Sequence, residues 1–355
     1  MGKVLIYALT EVKGGVEEFV LNLSRYNFQG RDIYGYAVLG EKTVYENELK
    51  KIGVDYFYIA PKKKLIKNIV DIATLFKKLR NEYDTIYFNT SGLYYPIPYL
   101  MARKYNYKIA IHSHLTDGPF LKKYIHIFNR WWITKMAYKK MACSTPAGKW
   151  MFGDVTNVKI IPNAIEIERF TFNLYNRKAA RKEFGVSTEL VIGNVGRLTK
   201  FKNQRFMIEI INMLKKKNID SKLVLIGEGE DENELKLYAS EIGVSSNVLF
   251  LGRKDNPEFY LSGIDVYLMP SFIEGFPITL IEAQANGVPC VVSKNITSEV
   301  NVTGRVSFLS LDDSLDIWCE EIIRNKDRYD CRNKLIESGY DVKHLEQIVR
   351  EFMMS

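Results

Sequence analysis

Apolar and polar positions follow one another along two long stretches of this chain with the rhythm of strand then helix. Residues 4–9 form a β-rich apolar run that leads through Gly14 and Gly15 into a segment where Phe19, Leu23 and Tyr26 fall on one helical face. The strand signal returns at 33–39, 55–59, 85–88 and 107–112, with helical patterns between. An irregular segment, 161–186, contains Pro162 and Asn163, and the pattern then restarts. Residues 190–195, 222–226, 247–251, 265–269 and 290–293 read as strands, and 201–217, 230–242, 254–262 and 277–286 as helices. A last helix is expected over 341–355, where Leu345, Ile348, Val349 and Phe352 recur at helical spacing. Strands separated by helices in this way build βαβ units and parallel sheets covered on both faces. Two such runs predict an α/β chain of two doubly wound domains facing each other across a cleft, with 161–186 as the linker. Such sheets take ligands at the carboxyl ends of their strands.

Composition agrees with packed domains: 355 residues, 46% of them hydrophobic, suffice for two cores. The first apolar run is too short for a secretory leader, and none is expected. Residues 85–102 carry no charge, but Asn89, Gly92, Pro96 and Pro98 would break a lipid-buried helix, so no transmembrane segment is expected. Cys143, Cys290, Cys319 and Cys331 have neither zinc-site nor disulfide spacing, which points to reduced thiols and a cytoplasmic setting.

The net charge of +8 is uneven. Residues 1–168 hold 25 Lys and Arg against 15 Asp and Glu, whereas the remainder holds 25 against 27. Residues 119–141 read as one amphipathic helix, with Leu121, Ile125, Phe128 and Trp132 on its apolar side and Lys122, His126 and Arg130 on another. With Lys62, Lys63, Lys64 and Lys67 as a second basic patch, this predicts peripheral contact with an anionic membrane at its inner face. Nucleic acid is not expected, since no recognised binding module is visible.

The densest chemistry lies in 271–293. Glu274 precedes Gly275-Phe276-Pro277, a helix is expected to start at Pro277, and Glu282 follows on that helix. Backbone N–H groups at a helix start favour phosphate, and a carboxylate on the helix can accept both hydroxyls of a ribose. This string resembles the E-x7-E motif of the retaining glycosyltransferases of family four, which have the GT-B architecture of two Rossmann-like domains. It is most similar to the branch found in bacterial exopolysaccharide and capsule synthesis. Further matching segments occur in order: Gly14-Gly15-Val16-Glu17, His112-Ser113-His114, Ile161-Pro162-Asn163-Ala164-Ile165, Gly196-Arg197-Leu198 with Lys202, and Gly227-Glu228-Gly229.

The resemblance implies an acceptor-binding domain over 1–165, a nucleotide-sugar-binding domain over 166–338, and a C-terminal helix over 339–355 that packs back on the first. It implies a donor site of Gly15, Arg197, Lys202, Gly275, Phe276, Pro277 and Glu282, with Gly14 toward the acceptor and His112 and Glu274 as catalytic residues. Lys202 is preferred to Lys200 as the second cation of the diphosphate grip. The implied reaction moves a hexose-type sugar from a UDP-sugar to a lipid-linked oligosaccharide with retention, using no metal and no cofactor. A catalytically inactive, sugar-nucleotide-binding partner subunit is the alternative, and a GT-B epimerase a third reading.

Overall fold

The computed structural model describes residues 2–11, 14–26, 33–115, 120–274 and 276–355, with only the backbone of Phe120 and Leu121. The chain divides into two compact units, Met1–Ala164 with Asp341–Ser355, and Ile165–Tyr340.

The first unit holds a seven-stranded sheet of β1 (Lys3–Thr10), β2 (Tyr34–Leu39), β3 (Asp55–Ile59), β4 (Tyr83–Thr90), β5 (Lys108–Ser113), β6 (Ala137–Ala142) and β7 (Lys159–Ile160), in the order β3-β2-β1-β4-β5-β6-β7. Every pairing is parallel. Connecting helices are α1 (Gly15–Arg25), α2 (Glu46–Ile52), α3 (Leu65–Leu79), α4 (Ile97–Lys104), α5 (Phe120–Ile133) and α6 (Thr145–Phe152). The second unit repeats the plan with six parallel strands: β8 (Leu190–Val195), β9 (Ser221–Ile226), β10 (Val248–Phe250), β11 (Val266–Met269), β12 (Cys290–Ser293) and β13 (Val306–Leu309). Their order is β10-β9-β8-β11-β12-β13. Its helices are α7 (Leu174–Glu183), α8 (Gln204–Lys216), α9 (Glu232–Glu241), α10 (Pro257–Gly263), α11 (Ile278–Ala285), α12 (Leu315–Arg324) and α13 (Arg332–Glu337). The closing helix α14 (Val342–Met354) starts at an Asp341 cap, and its Val342, Leu345, Val349 and Met353 enter the core of the first unit.

Each sheet is covered on both faces, which gives each unit two apolar clusters. Strands such as β11 and β12 are therefore buried at every position, and only strand ends and loops can carry chemistry. None of the described helices is long and apolar enough to cross a membrane, and the four cysteines are free thiols.

Three expectations are corrected. The segment read as linker contains α7, whose Asn173 cap accepts from the Asn176 N–H. The short strands β6, β7 and β13 add to both sheets. The helix expected over 119–141 ends at Ile133, passes through a 3-10 turn at Thr134–Met136 and becomes β6. Pairing with β5 decides that ending, because Met141 and Ala142 complete a buried sheet position that a helix would leave open.

In the second unit, Arg328 ties the carboxyl end of α10 to the turn after α11. Its guanidinium donates to the Leu261 and Ser262 carbonyls (2.9 and 3.1 Å), to the Ile264 carbonyl, and to the Asn286 carbonyl at 3.1 Å. Burial, followed by the charge of Arg177, lowers its pKa to about 9. Arg328→Met removes these donors at once and should cost about 2–4 kcal/mol, read as a lower urea midpoint with an unchanged slope.

Candidate functional site

In a doubly wound sheet the ligand crevice opens where strand order reverses. In the second unit that point lies between β8 and β11, and most of the expected donor residues stand there. The loop after β8 is pinned by its backbone: the Gly196 N–H donates to the Ile226 carbonyl (2.9 Å), and the Leu198 N–H to the Glu228 carbonyl (3.0 Å). Gly227, at φ +141°, and Gly229 make this possible, since a Cβ on either would strike the backbone of Gly196 or Leu198. The loop after β11 is tied to the same place. The Phe272 N–H donates to the Phe201 carbonyl at 2.9 Å, and Asn203 Nδ2 to the Pro270 carbonyl at 3.1 Å.

These ties bring Lys202 and Glu274 together. The ammonium pairs with Glu274 Oε1, the same oxygen that accepts from Ser271 Oγ at 2.9 Å. Arg197 is exposed, and its guanidinium has no partner among the described residues; its carbonyl accepts from Gln204 Nε2 at 2.9 Å. Lys200 is exposed as well and makes no ion pair among the described residues. Gly275 lies outside the described residues. The Phe276 ring stacks on Tyr340, with centroids 6.0 Å apart. Pro277 is the cap preceding α11, so the helix opens at Ile278, one position later than expected.

Glu282 sits on α11 and makes no side-chain hydrogen bond among the described residues. Although its side chain touches the surface, the protein packed around the carboxyl pushes its pKa up to about 7. The Arg169 charge opposes that rise and Glu258 adds to it, while Arg169 is itself paired to Glu258 at 3.0 Å. A carboxyl held this way gains most from a ligand that brings hydroxyl donors.

Sequence reasoning missed two supports of this site. Ser271 orients Glu274 and is anchored in turn by Ser293 Oγ, which donates to its carbonyl at 2.6 Å. Tyr267, read as a strand residue, bonds Thr279 Oγ1 at 3.0 Å and the Val195 carbonyl at 3.1 Å, joining the end of β8 to the first turn of α11. Nothing in an apolar strand distinguishes such a tyrosine from a core one.

In the first unit the order reverses between β1 and β4, and a cavity of about 340 Å³ opens at their carboxyl ends, lined among others by Tyr7, Thr10, Glu17, Asn89 and Thr90. Gly14 caps α1 and Gly15 begins it. The Glu17 carboxylate occupies the place that a Cβ at Gly14 would take, and it accepts from Thr10 Oγ1 at 2.6 Å.

The His112 ring is fully buried against Phe19, Tyr87 and His114, and Nδ1 meets the Tyr87 hydroxyl at 2.7 Å, while Nε2 has no hydrogen-bond partner among the described residues. Burial, then the neighbouring His114, holds its pKa well below the usual histidine value. His114 bridges Asn163 Oδ1 (3.1 Å) and Asn89 Oδ1 (2.9 Å), and burial lowers its pKa to about 4. A neutral imidazole has one N–H and one lone pair, so one of the two amides must turn its nitrogen inward.

Residues 176–341 match the family model described as glycosyl transferases group 1. EpsF of Bacillus subtilis (strain 168), provisionally named a glycosyltransferase, is 29% identical over 354 residues, covering 93% of this chain and 91% of its own. The UDP-Gal:alpha-D-GlcNAc-diphosphoundecaprenol alpha-1,3-galactosyltransferase of Escherichia coli is 26% identical over 305 residues, covering 80% of this chain and 79% of its own. The crystal structure of Anabaena HepE in complex with UDP has the same fold, with a TM-score of 0.83 at 17% identity over 99% of both chains. The second unit thus matches the model of the group 1 glycosyl transferases, nearly the whole chain is similar to EpsF, and the chain has the GT-B fold shared with HepE.

Proposed function

We propose that this glycosyltransferase moves a hexose-type sugar from a UDP-sugar to a lipid-linked oligosaccharide, with retention of configuration, in exopolysaccharide or capsule synthesis. The observation that carries the donor half is the meeting of Lys202 and Glu274 at the strand-order reversal of the second unit, on the loop that also bears Arg197 and next to the helix that bears Glu282. The UDP held by HepE and the UDP-galactose used by the Escherichia coli relative support the choice of nucleotide. In this reading Arg197 and Lys202 carry the negative charge of the diphosphate, with no metal needed, and Glu282 accepts the ribose hydroxyls. Glu274 steadies the transferred sugar, helped by the backbone of Gly275, Phe276 and Pro277. The bond from the anomeric carbon to the diphosphate breaks with its electron pair on the leaving oxygen. The acceptor hydroxyl attacks from the same face and gives its proton to that oxygen. Electrostatic stabilisation of the leaving group supplies most of the rate. The inactive-subunit reading is not favoured, since Lys202, Glu274 and Glu282 are all in place.

The acceptor half rests on the first unit. Tyr124, Phe128 and Trp131 of α5 are about 70% exposed, and Ile66 of α3 is 80% exposed. The apolar side of α5 therefore faces outward, while His126 and Asn129 face inward. There the Leu93 N–H donates to His126 Nδ1 (3.0 Å), and Asn129 Nδ2 donates to the Leu93 carbonyl (2.7 Å). The described residues of α5 and the stretch 61–70 contain no carboxylate and carry Lys62, Lys63, Lys64, Lys67 and Lys122, and the Lys135 ammonium stands 4.4 Å from the centre of the Trp131 ring. Such a surface suits an anionic bilayer that also carries the acceptor lipid.

Three measurements test these statements. Lys202→Met should weaken UDP binding about 10–100-fold, while Glu274→Gln keeps UDP binding and lowers kcat about 10²–10³-fold in transfer assays. UDP affinity of the wild type should rise with pH through about 7, because hydroxyl donors favour the ionised Glu282, and calorimetry should show proton release. Glu282→Gln should flatten that profile relative to the wild type and, by removing a buried charge, raise the thermal midpoint of the unliganded protein at pH 8. Phe128→Ser with Trp131→Ser should abolish flotation with phosphatidylglycerol vesicles and leave UDP binding unchanged.

A further inference from the structure

Lys62 lines the cavity of the first unit, and Lys122 stands beside another of its lining residues, Tyr94. Lys62, which lines the cavity, has its ammonium 5.3 Å from the Tyr95 ring centre, and Lys122, on the first turns of α5, lies 6.0 Å from that of Tyr94. Tyr94 and Tyr95 also line the cavity, so each cation stands beside a lining ring. Neither ammonium is paired with a carboxylate among the described residues, although neighbouring Lys64 is matched by Glu41. The protein crowded about the Lys62 ammonium, and then the Lys122 charge, hold its pKa below the ordinary lysine range. Two like charges kept within Coulombic reach, neither paired with a carboxylate among the described residues, form a site suited to an anion.

The cavity behind them suits a sugar. Tyr7, Tyr95 and Tyr99 offer ring surface, and Thr10, Glu17, Asn89 and Thr90 offer polar atoms. The Tyr7 hydroxyl is buried without a hydrogen-bond partner, as is one amide atom of Asn89. Buried polar groups of this kind cost stability unless a ligand satisfies them. The exposed apolar residues of α3 and α5 flank the same lysines in sequence: Leu65 and Ile66 follow Lys62, and Tyr124 and Ile125 follow Lys122. Sugar-binding groups, an anion site and lipid-compatible side chains thus succeed one another over one region of the first unit.

We infer that Lys62 and Lys122 together grip the diphosphate of a prenyl-diphosphate-linked acceptor, whose sugar enters the cavity lined by Tyr7, Glu17 and Asn89. This rests on the acceptor reading above and adds to it the group by which the acceptor is recognised. The diphosphate oxygens accept from both ammoniums, and each such charge-assisted hydrogen bond is short and strong.

The test is calorimetric titration of the full chain with geranyl diphosphate, with UDP saturating so that the donor site is filled. The wild type should bind it, and Lys62→Gln and Lys122→Gln should each weaken binding about tenfold or more. Lys62→Arg with Lys122→Arg should restore most of the affinity. Inorganic pyrophosphate should bind more weakly than geranyl diphosphate but lose affinity in the same variants; equal affinities would mark a plain anion site and overturn the lipid assignment. Unchanged affinity in the double Gln variant, with its thermal midpoint intact, would overturn the inference, as would no binding by the wild type. UDP affinity, measured separately, should not move in these variants. Failure of UDP to bind would refute the donor reading while leaving the lysine dependence to stand or fall by itself.

Discussion

Close backbone approach at Gly227 and Gly229 is the constraint on which the proposed donor site depends. A parallel sheet covered by helices leaves no side chain free along its strands, so the functional groups of the second unit must be delivered by the loops at strand ends and the helices that follow them. Arg197 and Lys202 belong to the loop after β8, which would be free to wander if only side chains held it. Instead it lies against the loop after β9, backbone to backbone, at a distance no residue with a Cβ permits. The left-handed turn at Asn203, with φ 57°, then directs the chain into α8, and the Asn203 amide fastens the loop after β11. Glu274 and Lys202 meet because both loops are pinned to this common support.

The charges are arranged before any ligand arrives. Lys202 is neutralised by Glu274, whereas Arg197 is left free and Glu282 is held near half-ionisation by burial. Preorganised groups of this kind need little rearrangement when a charged ligand enters, which is the physical basis of electrostatic catalysis. The first unit applies the same topological rule at β1 and β4 with different chemistry: tyrosines, one carboxylate engaged by Thr10, and two lysines beside lining tyrosines. One architecture, used twice in the chain, thus offers two strand-order reversals with unlike linings.

α5 shows where pattern reading loses its hold. Its apolar and polar stripes are plain in the sequence, and the usual inference buries the apolar one. The loop after β4 reverses that outcome. It carries backbone groups at Leu93 and Ser91 that need partners, and His126, Asn129 and Trp150 provide them, with the Trp150 indole donating to the Ser91 carbonyl at 3.2 Å. Satisfying buried backbone groups outweighs exposing a few aromatic rings, because each unpaired donor or acceptor costs about 1–3 kcal/mol.

From the sequence alone one can read the two doubly wound units, the order of most strands and helices, and the string 271–293 that bears Glu274 and Glu282, because alternation of strand and helix and the spacing of that string are local properties. Tertiary structure alone decided which strands lie next to one another, that 137–142 is strand rather than helix, that α7 interrupts the linker, and which side of α5 meets solvent. It also brought Lys62 and Lys122 within Coulombic reach of each other although sixty residues separate them. Those outcomes depend on which backbone groups and charges are left without partners once the sheets have formed, and no local pattern of residues records that.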